Sequence, residues 1–171
     1  ASRGLGDVYK RQNKMSTRAV YFFEDKNDKS YYGVYKHYDG YPQGAASHIE
    51  DAKAYAWPLP RWEADEFAAA FVAANKNPKG GEVRLLPNFE HTSIPMMMEE
   101  NKWCDYYYII SWDDYDQEMF VTIFENRYDE KLETQYWHET ASMRHSEMLR
   151  AYAEASCCLL YTSPSPRDAT T

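Results

Sequence analysis

The chain has 171 residues, a formal net charge of −8 and an unusually high aromatic content of 16%. That acidic balance argues against non-specific binding to nucleic acid or to an anionic membrane, both of which need a positive face. The length suits one domain, and no run approaches the roughly 18 apolar residues needed to cross a bilayer.

Taken in chain order, residues 18–25 (RAVYFFED) are apolar and aromatic, 26–29 (KNDK) have turn chemistry, and 30–37 (SYYGVYKH) alternate. This pattern predicts an opening β-hairpin. In its second strand Tyr31, Gly33, Tyr35 and His37 share one face, and Tyr32, Val34, Lys36 and Tyr38 the other. Asp39-Gly40, Pro42 and Gly44 then break the strand. Residues 45–56 have helical composition, and Pro58 and Pro60 forbid helix around Leu59. A second helix is predicted over 63–76, with Glu63, Asp65 and Glu66 in the first turn, where the helix dipole favours them. Phe67, Phe71 and Ala74 form its buried stripe, and Asn77-Pro78 and Gly80-Gly81 end it. Residues 82–86 read as a short strand and 87–102, with His91, Pro95 and three methionines, as loop. Strands follow at 104–112, 119–125 and 132–138, the first two around an acidic turn, and 140–156 reads as helix. The order ββααββββα predicts an α+β fold, a mostly antiparallel sheet with helices packed on one face.

The two ends read differently. One choice of codons for residues 7–12 (DVYKRQ), reverse-complemented and read one base out of register, encodes residues 158–163 (CLLYTS). Residues 2–6 (SRGLG) and 164–168 (PSPRD) are related in the same way. Such an inverted repeat resembles a translated sequencing-library adaptor. Residues 1–14 and 158–171 are therefore expected to be tails outside the fold, and 15–157 a single domain. Removing Arg3, Lys10, Arg11 and Lys14 leaves that domain more acidic still. Cys104 becomes its one secure thiol, which cannot form an internal disulfide and points to a reducing, cytoplasmic compartment.

The densest chemistry lies in residues 34–44, VYKHYDGYPQG. His37 and Asp39, two apart on a strand, project to the same side if the strand continues. A carboxylate there would orient the imidazole or raise its pKa, as a general base requires. Turn formation by Asp39-Gly40 accounts for the same residues. The candidate ligand-binding set is Tyr35, His37, Asp39, Gly40 and Tyr41, joined by Trp57, Arg61 and Trp62 of a second cluster, WPLPRWEADE at 57–66. Arg61 pairs with Asp65 or Glu66, or offers its fork to an anion; the two indoles stack on a ligand or pack under the helix.

VYKHYDGYPQG, together with YAWPLPRWEADEFAAAFVAANK at 55–76, resembles a family of small bacterial and phage proteins with a His-x-Asp-Gly-Tyr-Pro signature. The likeness covers roughly the first half of the domain. The family has no established activity, so the resemblance implies a bacterial or phage origin, with the host cytoplasm as location if phage-encoded, and no catalytic assignment.

His37, Asp39, His48, His91, Cys104, His138, Glu139 and His145 offer metal-ligand chemistry, but none falls in a zinc spacing. There is no Gly-rich phosphate loop, Gly-x-Ser-x-Gly elbow or cysteine-nucleophile signature. No metal and no cofactor are expected. The expected function is a non-catalytic binding module for a protein partner or a small anionic metabolite. No direct nucleic-acid or membrane contact is expected, and the oligomeric state is left open. A variant is an acidic mimic of DNA built from Asp113, Asp114, Asp116, Glu118, Asp129, Glu130 and Glu133. The alternative is a small hydrolase or transferase using His37 and Asp39 on an anionic substrate.

Overall fold

The opening hairpin forms as its alternation predicts in the computed structural model, which describes residues 16–76, 82–87 and 93–162, with side chains up to residue 153. Strand β1 (Ala19–Asp25) pairs antiparallel with β2 (Ser30–Lys36), which carries the short β3 (Val83–Leu85) on its other side. On its second edge β1 runs parallel to β4 (Tyr106–Asp113), and β5 (Glu118–Asp129) and β6 (Thr134–Arg144) follow antiparallel. The sheet order is β3-β2-β1-β4-β5-β6. Four helices complete the chain order: α1 (Pro42–Ala52), α2 (Ala64–Asn75), α3 (Ile94–Glu100) and α4 (His145–Thr162). The α+β architecture and the mostly antiparallel sheet agree with the sequence pattern.

Alternation along β1 sorts the core into two layers. Ala19, Tyr21 and Phe23 face α1, α2 and α4, packing with Ile49, Phe67, Phe71 and Met148. Val20 and Phe22 face the other way, toward Met97 and Met98 of α3 and Tyr107 of β4. All five residues from Ala19 to Phe23 are fully buried. Each large apolar side chain removed from water contributes about 1.5–3 kcal/mol, which explains why the most apolar strand occupies the middle of the sheet.

Two segments depart from expectation. Helix α3 forms inside the stretch predicted as loop, and it covers the face opposite the other three helices. Its signals are local: Ser93 Oγ accepts the Met96 N–H at 3.4 Å, Pro95 lies in the first turn, and Ile94, Met97 and Met98 recur on one side. So short a helix is marginal alone. Its exposed carbonyls are taken by the sheet: Tyr107 OH donates to Met97 O (3.1 Å) and Trp137 Nε1 to Met98 O (2.9 Å). Residues 140–144, predicted as helix, instead extend β6. There Ile123 pairs with Ala141 but Phe124 with Glu139, so Thr140 is an extra residue in a β-bulge, its Oγ1 donating to Ile123 O at 3.1 Å. The bulge reverses the phase of the strand, putting Trp137 against the α3 layer and Ala141 and Met143 against the helical layer.

Smaller differences concern ends. Helix α1 starts earlier than predicted, with Pro42 in its first turn, and stops at Ala52. The backbone of α4 continues to Thr162, into the segment set apart as an adaptor-like tail. The predicted breaks at Asn77-Pro78 and Gly80-Gly81, His91, and residues 1–14 and 163–171 lie outside the described residues. No helix among the described residues is long and apolar enough to cross a membrane.

Candidate functional site

Most of the Asp-Gly-Tyr-Pro-Gln-Gly segment builds a sharp joint between β2 and α1. His37 N–H extends the pairing of β2 by donating to Glu82 O at 3.0 Å. Asp39 then adopts the left-handed region, φ 57°, which Asp tolerates better than most side chains. Gly40 is buried and donates to Thr17 O at 2.9 Å. A Cβ there would sit 2.6 Å from the Ala19 Cβ, so the close approach of the joint to β1 requires glycine. At Gly44 a Cβ would overlap the Asp39 carbonyl oxygen. Pro42 needs no N–H partner in the first helical turn. Tyr108 OH closes the joint from below by donating to Gly40 O at 2.5 Å.

The side chains around this joint do not converge as the sequence suggested. His37 Nδ1 is bound to Tyr35 OH at 2.6 Å, whereas Asp39 Oδ1 accepts from Tyr41 OH at 3.3 Å. The sequence pattern has Asp39 orienting the His37 ring or raising its pKa. That pKa is instead lowered, by burial and by the positive charges of Arg18, Arg84 and Lys36. Strand pairing explains these neighbours. Arg84 lies directly across from Tyr35, and Arg18 precedes Ala19, the partner of Lys36, which places it beside His37 on the same face. Arg18 also stands 5.6 Å from the centroid of the Trp103 ring, and Trp103 lies 5.1 Å from Tyr35. The Tyr38 and His37 rings meet edge to face, their centroids 4.6 Å apart. Trp103 remains 46% exposed. Two carboxylates border this face: Glu82 pairs with Arg84, and Asp105 Oδ2 accepts the Arg18 N–H at 2.9 Å.

On the opposite, helical side lies Lys36, only 6% exposed, its Nζ donating to Tyr38 O at 3.1 Å. Burial lowers its pKa, with Asp39 opposing. His48 of α1 is nearby, pushed down to about 4 chiefly by its own burial, and its Nδ1 meets Tyr21 OH at 3.4 Å.

Trp57, Arg61 and Trp62 belong to a different place. Trp62 Nε1 donates to Glu24 O (3.3 Å), at the far end of β1 from Gly40 and His37. A strand of that length spans roughly 20 Å, so the expected ligand-binding set divides into two groups. Arg61 lies 3.6 Å over the Trp57 ring and pairs with Glu63 at 3.7 Å, not with Asp65 or Glu66. Glu66 instead accepts the Trp57 N–H at 2.8 Å. Trp62 stacks with Trp112 at 6.4 Å, and the two help line a cleft of about 330 Å³ together with Asp25, Lys26 and Asp113. The acids considered for DNA mimicry occupy the turns at opposite ends of β5.

Sequence reasoning missed Arg18, Arg84 and Trp103, because only the pairing of distant segments puts them beside His37. Lys36 had a visible signal: alternation places it with the core-facing Val34. Among the described residues no three His, Cys, Asp or Glu side chains form a metal-ligating group. Compared with protein-family models, curated proteins and solved structures, the chain matches none.

Proposed function

We propose that the chain is a non-catalytic binding module that holds a small anionic ligand on the face shared by Arg18, His37 and Arg84. The observation that carries this reading is the electrostatic surrounding of His37. In a chain of net charge −8, strand pairing places Arg18 and Arg84 beside this imidazole, with Glu82 and Asp105 at the border. Two guanidinium forks near a polar ring match the planar donors that carboxylate and phosphate groups take. The Tyr35–His37 hydrogen bond favours binding over hydrolase or transferase chemistry, because it occupies the nitrogen that a carboxylate partner would orient. The resemblance of the His-x-Asp-Gly-Tyr-Pro segment adds a bacterial or phage origin, with action in the host cytoplasm.

The test is a titration with inorganic phosphate followed by nitrogen-detected NMR of the Arg and His side chains. Shifts at Arg18, His37 and Arg84 that disappear in Arg84→Ala and Arg18→Ala are the expected result. Unchanged signals on this face, or shifts confined to the Trp62 cleft, would overturn the proposal.

A further inference from the structure

The hydrogen bond between Tyr35 and His37 fixes more than the orientation of the ring. Burial pushes the Tyr35 phenol up to about 12, so at neutral pH it keeps its proton and has one to give. The His37 ring, below its ordinary pKa, is neutral under the same conditions and carries a single proton. The phenol and Nδ1 share a 2.6 Å hydrogen bond; with the phenol as donor, the ring's single proton sits on Nε2. In that tautomer His37 contributes an N–H donor without carrying charge. Beside it stand two guanidinium groups and the half-exposed indole of Trp103, whose ring packs against Tyr35. An anion alone would use the donors and leave the indole idle. A ligand with a flat ring as well would use both.

Building on the anionic-ligand reading, we propose that this face takes a small anion bearing an aromatic ring, of the nucleoside monophosphate class. Its phosphate is held by Arg18, Arg84 and the Nε2–H of His37, and its ring stacks on Trp103. Arg18 already lies against that indole, so a bound phosphate joins the two halves of the site through one side chain. Stacking of a base on an aromatic side chain commonly strengthens binding roughly 10- to 100-fold.

Adenosine monophosphate, adenosine and inorganic phosphate serve as three probes of the whole chain, with dissociation constants from NMR titration. The expected order is the monophosphate tightest, at least about tenfold over phosphate, with adenosine weakest. Trp103→Ala should cut monophosphate affinity at least about tenfold, and a retained amide fingerprint shows that the variant is folded. The imidazole nitrogens should report a neutral Nε2–H ring before and after binding. Equal affinity for the monophosphate and phosphate would overturn the aromatic component and leave the anionic reading standing. Adenosine binding as tightly as the monophosphate, or no binding by any probe, would overturn both.

Discussion

Gly44 and Gly40 show how the most conspicuous part of the sequence serves the backbone before it serves any ligand. A methyl group at Gly44 meets the Asp39 carbonyl, and one at Gly40 meets Ala19 and the Thr17 oxygen, groups fixed by the turn after β2 and by the central strand β1. Neither neighbour is the free end of a flexible side chain, so relief requires the joint itself to move. Overpacking of this kind costs about 1–3 kcal/mol. Gly44→Ala is therefore expected to lower the denaturant midpoint by a corresponding amount, with Gly40→Ala behaving alike; an unchanged midpoint for both would mean the joint is looser than its contacts imply. Asp-Gly followed by Pro was legible as a break in the strand, and Tyr35, His37 and Lys36 were legible as alternating faces. The neighbours that determine the chemistry of His37 were not. Arg18, Arg84 and Trp103 come from three separate segments, and no local spacing records that β3 lies beside β2.

At the scale of elements, most of the strands and the helices α1 and α2 follow from periodicity, whereas α3 and the end of β6 depend on their surroundings. The stretch Ile94–Glu100 is too short to be stable as an isolated helix. It persists because Tyr107 and Trp137 reach its carbonyls and because Met97 and Met98 are buried against the sheet. The bulge at Thr140 lets Trp137 face α3 while Ala141 and Met143 of the same strand face the helical layer. Trp137→Phe keeps most of the apolar contact and removes the donor. Losing one such bond costs about 1 kcal/mol. Faster amide exchange confined to residues 94–101, with little change in β4 and β5, is the expected outcome. Uniform acceleration throughout the sheet would show instead that α3 opens only with the whole fold.

For the whole molecule, three histidines are held neutral by burial. His37, His48 and His145 all have lowered pKa values, that of His48 falling to about 4. His145 is completely buried, its Nε2 against Ala46 O at 3.0 Å and its Nδ1 3.7 Å from Glu50, so it ties α4 to α1. An unfolded chain protonates its imidazoles near their ordinary value of 6.5, whereas the folded chain resists. The stability these groups confer is thus complete above about pH 6.5 and declines as pH falls, ending for His48 near about pH 4. Glu118, held low by its bonds to Ser146, adds to the loss at more acidic pH. The melting temperature should fall over that window, and the fall should be shallower in His48→Gln; identical slopes would mean His48 stays solvated.

The strand order carries a different consequence. Every neighbouring pair in the sheet is antiparallel except β1 and β4, which meet across a sequence separation such as the 87 residues between Arg18 and Asp105. Each side of that seam is a three-stranded antiparallel unit with helices of its own. The seam, the α1–α4 contact and the packing of α3 across β1 and β4 hold the sides together. A chain opened between β3 and β4 would therefore be divided where few strands need to re-register. Its two pieces, expressed separately, form a natural pair for fragment complementation, with the parallel ladder as the surface on which they recognise each other.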